Sequence, residues 1–205
     1  MINSTDTRTK LLHAAIDLIW KASFGSVSVD DICAQAGVLK GSFYHFFPSK
    51  VDLAIEAVKF NWEEYRPEID RIYDAKKEPL QRLSDHCDLA LKRQKEMLKI
   101  CGFVPGCPVT ALGSEQSTQN EPLREVIDPH LKYMMGYFRQ SISDAIAAGV
   151  IPETPVKKKT DEVFSLYLGT FTYARITNDL QPIRNMKKAI FTLLGVGEEA
   201  CVSSQ

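Results

Sequence analysis

The chain has 205 residues, of which 44% are hydrophobic and 25% charged, with a formal net charge of -1 at pH 7. This length suits one or two domains with a sizeable core, and the nearly neutral balance excludes overall basicity as an argument for a nucleic-acid partner. The polar first ten residues argue against a signal peptide, no apolar run is long enough for a membrane helix, and five cysteines without a CxxC pair predict reduced thiols. We therefore expect a cytoplasmic protein without a membrane association.

Apolar residues recur at helical spacing along almost the whole chain, and no strand-like alternation lasts for more than a few residues. Helical segments are predicted over residues 8–24, 28–37, 40–46, 49 to the 60s or 70s, 79–101, near 107–117, 121–149, 160–179 and 182–195. The polar stretch 152–159 is predicted to be a loop, and the tail after Gly197 is expected to be frayed. The pattern predicts an all-α fold.

The strongest motif lies in residues 28–47, where two short helices are joined across the sequence Ala36-Gly37-Val38-Leu39. Ser28 and Asp31 form a predicted capping box for the first helix, and Gly37 suits its C-terminal end. Phe43 and Phe47 lie four residues apart, so they share one face of the second helix. This arrangement is typical of a helix-turn-helix, in which the second helix enters the major groove of DNA.

The remaining faces of the second helix carry groups that suit DNA contacts. Gly41 allows close approach of the backbone, Ser42 and Tyr44 offer hydroxyls, and His45 offers a ring nitrogen. Lys40 and Lys50 can neutralise phosphates, as can the helix N-termini that begin at Ser28 and Ser49. Residues 1–50 hold five basic and four acidic side chains, a formal charge of only +1. Affinity must therefore come from specific contacts and from pairing two copies.

This motif resembles the DNA-binding segment of the tetracycline-repressor (TetR) family. The matching residues are Val29-Asp30-Asp31-Ile32, Ala36-Gly37-Val38, Lys40 to Phe47 and Ser49-Lys50. The resemblance implies a DNA-binding domain at residues 1–52 and a helical ligand-binding and dimerisation domain at residues 53–205. It also implies that double-stranded DNA is contacted by Ser28, Lys40, Ser42, Tyr44, His45 and Lys50, and we add Gly41 for the close approach of its backbone. Leu39 and Phe46 depart from the family pattern, since polar residues are usual at both positions.

The second half of the chain contains candidates for binding a small molecule, whose identity the sequence leaves open. Aromatic rings with hydroxyls and a few orienting polar groups suit a mostly apolar pocket. The predicted ligand-binding residues are Trp62, Tyr65, Cys107, Tyr137 and Arg175. The alternative for each is a place in the core or in a dimer interface.

Cys107 follows Gly106 in a segment that is similar to a Gly-Cys branch of the family, some of whose members sense electrophiles. A position near the start of a helix would favour the thiolate. The alternative is a small buried hydrophobic side chain. His86 and His130 have no neighbouring residues at metal-ligand spacing, so we expect neither a metal nor another cofactor.

The last two helices are rich in apolar residues, and the family layout implies that they form a homodimer with a second copy. The apolar residues concerned are Val163, Phe164, Leu166, Tyr167, Leu168, Phe171, Ile190, Phe191, Leu193 and Leu194, and Gly169 would allow close helix approach. The alternative is a monomer that buries the same residues internally.

The sequence predicts a repressor that a small molecule releases from a palindromic operator, with an activator as the rarer alternative. An enzyme is the rival class, but the chain lacks the glycine-rich phosphate-binding motifs and the common hydrolase motifs. Cys107 could meet His86 or His130 only through tertiary structure. A third alternative is an interaction protein whose helix-turn-helix binds no operator.

Overall fold

The computed structural model describes residues 4–197, and within that range the chain forms nine α-helices and no strand, which confirms the all-α prediction. The helices are α1 Ser4–Lys21, α2 Val29–Ala36, α3 Lys40–Phe46, α4 Lys50–Ile72, α5 Pro79–Cys101, α6 Pro108–Gln116, α7 Glu121–Ala147, α8 Val156–Thr177 and α9 Gln181–Leu193. The tail after Gly197, which the sequence predicts to be frayed, lies outside the described residues.

Local capping chemistry explains the boundaries of the short helices. The Ser28 hydroxyl accepts a hydrogen bond from the Asp31 N–H at 3.1 Å, and the Asp31 carboxylate accepts one from the Ser28 N–H at 2.9 Å, which confirms the capping box. Gly37 ends α2 in the left-handed region at φ 66°. At the start of α3, Leu39 supplies no side-chain hydrogen bond and is 81% exposed. This helix start therefore lacks the stabilisation of about 1 kcal/mol that a polar cap provides.

The second half of one predicted loop is helical. The sequence interpretation assigns residues 152–159 to a loop, but α8 begins at Val156, directly after Pro155 at the N-cap. Lys157 forms an ion pair with Asp161 one turn later, at 2.8 Å. Charged pairs at this spacing stabilise a helical turn, so a polar run of this kind is an exposed first turn and not a loop.

The helices divide into two compact units. The N-terminal unit consists of Met1–Arg66 and Cys107–His130, and the C-terminal unit consists of Pro67–Gly106 and Leu131–Gln205. The predicted boundary after residue 52 therefore differs from this division, because α4 continues to Ile72 and α6 packs on α1. A functional division at residue 52 stays a prediction.

The N-terminal unit has its core where α1, α2 and α3 meet, with α6 packed on α1. Its largest fully buried side chains are Leu11, Leu12, Ile32, Phe43, Leu53 and Leu123. Burying so many large apolar groups anchors the short helices α2 and α3, which would be unstable in isolation.

In the C-terminal unit, α9 packs against α8 and α5, and aromatic rings gather around the buried Phe138. Most of the apolar surface assigned above to a dimer interface is used here instead. The side chains of Val163, Phe164, Tyr167, Phe171, Ile190, Phe191 and Leu194 are buried within the single chain. The predicted use of these particular residues between two copies is therefore wrong, because α8 and α9 bury them against their own unit.

Within the described range, no helix is both long enough and apolar enough to cross a membrane.

Candidate nucleic-acid interface

Helix α3 presents two faces of opposite character. Phe43 and Phe47 are 0% and 2% exposed, which confirms that they anchor the helix to the N-terminal unit. Lys40, Gly41, Tyr44 and His45 lie on the exposed side, and Ser42 is half-buried between the faces. Tyr44 is 53% exposed although its ring contacts Phe43 edge-on, with centroids 5.1 Å apart. The helix therefore holds several hydrogen-bonding groups towards solvent.

Gly41 has open space on its outer side. A Cβ atom built at this position would meet nothing within 4 Å, and the backbone is not in the left-handed region. Among the described residues, neither packing nor backbone conformation thus requires a glycine here. The bare backbone leaves room for a partner to approach α3 closely.

Lys40 and Ser28 interact with acidic partners on α2. The Lys40 ammonium lies 2.9 Å from the Asp30 carboxylate, and this hydrogen bond raises the pKa of the lysine. The Ser28 hydroxyl donates to the Asp31 carboxylate at 2.6 Å, and this bond lowers the pKa of Asp31. The Ser28 hydroxyl is already used in the capping box. A phosphate at the α2 N-terminus would therefore be bound mainly by the free backbone N–H groups of the first helical turn.

Lys50 points back into its own unit. Its ammonium donates to the carbonyl oxygens of Phe24 and Val27, each at 2.7 Å, and lies 4.3 Å from the centroid of the Phe24 ring. Two of its three donors are therefore committed to the loop between α1 and α2. A phosphate contact by Lys50 stays a prediction, and its positioning role in that loop is the one visible in the structure.

Glu115 on α6 contacts the same loop from far along the chain. Its carboxylate accepts hydrogen bonds from the Phe24 N–H at 2.9 Å and from the Gly25 N–H at 2.7 Å. Glu115 is the acidic residue that ends the Gly-Cys segment, but its contact with this loop is not predictable from sequence, because no local pattern links residues that are 90 and 91 positions apart.

The five predicted ligand-binding residues are distributed over both units. Trp62 and Tyr65 contact each other in the N-terminal unit, and Trp62 also meets His130 edge-on, with centroids 5.0 Å apart. Burial lowers the pKa of His130 to about 4, so its ring is neutral at pH 7. Cys107 is half-buried at the N-cap of α6 and makes no capping hydrogen bond with its side chain.

The other two predicted ligand residues lie in the C-terminal unit and have protein partners. The Tyr137 hydroxyl donates to the Asp70 carboxylate, and burial together with this bond raises the pKa of the tyrosine. The Arg175 guanidinium donates to the Pro105 carbonyl oxygen at 2.7 Å. Arg175 thus holds the loop that precedes Cys107, a structural role that the sequence did not indicate.

A buried histidine in the C-terminal unit is a polar group that sequence reasoning set aside. His86 is 0% exposed, its Nε2 lies 2.9 Å from the Tyr167 hydroxyl, and its ring contacts Phe138 and Tyr73. Burial lowers the pKa of His86 to about 3, so the imidazole stays neutral. Neither His86 nor Tyr167 belongs to a sequence motif. His86 lies on α5 and Tyr167 on α8, so only the tertiary structure brings them together.

Two family models match the chain. Residues 11–57 match the model for bacterial regulatory proteins of the tetR family, and residues 79–190 match the model for a tetracyclin repressor-like C-terminal domain. The chain belongs to the TetR family. It is a helix-turn-helix transcriptional regulator, and α1 to α3 with the first turns of α4 form the matched DNA-binding segment.

Curated relatives of this TetR-family regulator are transcriptional regulators as well. It is 32% identical over 127 residues to the HTH-type transcriptional regulator YxaF of Bacillus subtilis, covering 62% of this chain and 64% of YxaF. It is 26% identical over 190 residues to LmrA of Bacillus subtilis, covering 92% of this chain and 97% of LmrA. It is 22% identical over 184 residues to the HTH-type transcriptional repressor NemR of Escherichia coli, covering 88% of this chain and 89% of NemR.

Solved structures share the fold. The reduced form of Escherichia coli NemR superposes with a TM-score of 0.81 at 19% identity, covering 94% of this chain and 99% of that one. The regulatory protein TetR from Rhodobacter sphaeroides superposes with a TM-score of 0.80 at 23% identity, covering 90% of this chain and 97% of that one.

Proposed function

We propose that this TetR-family regulator is a repressor that binds a palindromic operator as a homodimer and leaves it when a small molecule binds. The observation that carries the DNA-binding step is the exposed face of α3, where Lys40, Gly41, Tyr44 and His45 are held outward by the buried Phe43. These groups, with Ser42 beside them, would enter the major groove. On contact, a phosphate replaces Asp30 as the partner of Lys40.

Exposed apolar groups on α8 support the homodimer. Tyr173 is 59% exposed and Ile176 is 76% exposed, and they follow the exposed Gly169 at four and seven residues, which places all three on one face. A Cβ atom at Gly169 would meet nothing within 4 Å in the described part of the chain, so packing within residues 4–197 does not require a glycine there. A second copy that packs on this face would cover the row, and two copies would present α3 helices roughly 34–36 Å apart, one turn of DNA.

The effector would bind among the aromatic side chains of the C-terminal unit. His86 and Tyr167 provide a buried, neutral hydrogen-bonding pair in an aromatic cluster that includes Phe138. Such a cluster suits a mostly apolar molecule with few polar groups. The ligand contacts expected of Trp62, Tyr65, Cys107, Tyr137 and Arg175 stay predictions, and Tyr137 and Arg175 would have to exchange their present partners.

In this mechanism the effector acts by preferring a conformation in which the DNA-reading helices do not match the operator. A ligand shifts such an equilibrium only by the difference between its affinities for the two conformations. As a DNA-binding repressor the protein would act in the bacterial cytoplasm, and the proposal assigns it no enzymatic step.

Selection of bound fragments from a random DNA pool, at a stated moderate salt concentration, tests the proposal. We expect an enriched palindrome whose half-sites lie about one helical turn apart. Lys40→Ala and Tyr44→Ala should abolish the enrichment while the helical content is unchanged, and Lys99→Ala, which removes an exposed lysine of the C-terminal unit, should leave it intact. Enrichment of no sequence would refute the repressor function and reopen the enzyme alternative.

A further inference from the structure

The loop between α1 and α2, residues 22–28, is held by charged groups of opposite sign. The Glu115 carboxylate accepts the N–H groups of Phe24 and Gly25, while the Lys50 ammonium donates to the carbonyl oxygens of Phe24 and Val27. Hydrogen bonds to a charged partner are about twice as strong as neutral ones. The position of this loop therefore depends on two side chains that lie outside it.

The Glu115 carboxylate lies so close to Gly25 that a side chain at position 25 would contact it. Its backbone is not left-handed, so its conformation does not require glycine, but a Cβ atom there would lie 3.0 Å from Glu115 Oε1. That distance is tighter than a normal contact, so any larger residue would push the carboxylate away. The absence of a side chain at position 25 is thus explained by the presence of Glu115.

The loop leads directly into the DNA-reading elements. Ser28 is its last residue and the N-cap of α2, and α2 packs against α3. Displacing Phe24 and Gly25 would move the α2 N-terminus, whose N–H groups the sequence leads us to expect against a phosphate. A small displacement matters because these hydrogen bonds are effective only over a narrow range of distance and angle.

Glu115 reaches the loop from a helix that belongs to a different part of the sequence. It lies on α6, outside the residues 11–57 that match the DNA-binding family model. α6 is packed into the N-terminal unit through Val109 and Leu112, which are 4% and 3% exposed. Any movement of α6 relative to α1 would therefore pull the carboxylate from the two N–H groups.

We propose that Glu115 is a positioning residue for DNA binding, whose carboxylate fixes the α1–α2 loop so that displacement of α6 lowers operator affinity. The inference rests on the proposed function, since it concerns binding of the same operator. Glu115 acts through the loop and needs no contact with DNA.

Electrostatics alone predicts the opposite result, which makes the test decisive. Removing a negative charge from a DNA-binding unit should strengthen its attraction to phosphates. Our proposal predicts that Glu115→Ala weakens binding to the selected palindrome by about tenfold, equivalent to about 1.4 kcal/mol. Glu115→Gln keeps one acceptor oxygen and should lie between Glu115→Ala and the unaltered protein.

Glu125→Gln is the matched control. Glu125 is an exposed carboxylate on α7 in the same unit, and its replacement makes the same change in charge. We expect its affinity to equal or slightly exceed that of the unaltered protein.

Gly25→Ala provides a second route to the same contact. The added methyl group should displace the carboxylate and weaken binding, but in the Glu115→Ala background it should cause no further loss, because the space has been vacated. Additive losses in the double variant would show that the two residues act separately, and would overturn the proposal.

Amide hydrogen exchange separates positioning from general loss of structure. In Glu115→Ala, exchange should accelerate at the amides of Phe24 and Gly25, while core amides such as those of Leu11 and Leu53 stay protected. The fraction of protein competent to bind, measured by titration at high operator concentration, should be unchanged.

Three outcomes are distinguishable. A tenfold loss in Glu115→Ala together with the local change in exchange supports the proposal. If the unaltered protein binds the palindrome and Glu115→Ala binds it equally well or more tightly, the proposal fails and the repressor function stands. If the unaltered protein selects no DNA sequence, the repressor function itself fails and the role of Glu115 falls with it.

Discussion

Replacing Gly41 with alanine should change folding stability and DNA binding in opposite directions. The added Cβ atom meets nothing within 4 Å in the free protein, and the backbone conformation suits alanine. Because glycine in a helix is less favourable than alanine by roughly 0.5–1 kcal/mol, and Gly41 lies in the first turn of a short helix, we expect a gain of about 0.5 kcal/mol in unfolding free energy.

In the proposed complex with DNA the same methyl group should occupy the space through which the backbone of α3 would approach the groove. Forcing an extra methyl group into a packed interface costs roughly 1–3 kcal/mol. Operator affinity should therefore fall by about 5-fold to 150-fold, since 1.4 kcal/mol corresponds to a factor of ten.

Titration of a fluorescent operator by anisotropy, alongside chemical denaturation of the free protein, measures both effects. Gly136→Ala is the matched control, because Gly136 lies exposed inside α7 and a Cβ atom there also meets nothing within 4 Å. It should raise stability by a similar amount and leave DNA affinity unchanged. If Gly41→Ala binds the operator as tightly as the unaltered protein, the backbone of α3 does not approach DNA at this residue and our orientation of α3 is wrong.

Three further predictions concern the C-terminal unit. Ile176→Glu should shift the proposed homodimer towards monomer in sedimentation velocity, because it places a charge in the exposed apolar row of α8. His86 has a pKa of about 3 when folded and about 6.5 when unfolded, so the unfolded chain takes up a proton as the pH falls below 6.5 and stability is lost between pH 6.5 and 3. His86→Gln should remove about 2 kcal/mol of the decrease in unfolding free energy between pH 8 and 5. Arg82→Met should destabilise the protein by about 2–3 kcal/mol in denaturant, because it leaves Asp144 and two loop carbonyl oxygens without their buried partner.

Each of these has an outcome that contradicts it. Ile100→Glu makes the same change at another exposed isoleucine, and dissociation by both variants alike would show that α8 is not the specific interface. An equal pH dependence with and without His86 would mean that its ring is not kept neutral in the folded protein. A loss below about 1 kcal/mol for Arg82→Met would indicate that the guanidinium is replaced by water without cost.

The DNA-reading segment could be predicted from the sequence because its determinants are local. The Ser28–Asp31 capping box, the left-handed Gly37 and the spacing of Phe43 and Phe47 all act within a few residues, so reading along the chain is enough to find them. The same locality explains why most helix boundaries were found, and why α8 was started late: its first turn is stabilised by pairs such as Lys157–Asp161 that look like loop composition.

The tertiary structure alone decided which polar and apolar groups remain available. Phe164 and Tyr167 are buried in their own unit, whereas Ile176 on the same helix is exposed, and helical spacing alone does not distinguish them. Lys50 is turned towards the Phe24 carbonyl oxygen, and Glu115 reaches the Gly25 N–H across 90 positions of sequence. Contacts of this kind depend on how helices pack, because a side chain's partner is set by the three-dimensional arrangement and not by its neighbours in the chain. The sequence by itself therefore determined the all-α fold class and the DNA-reading motif. Tertiary packing decided which side chains, such as Lys50 and Glu115, hold that motif in place.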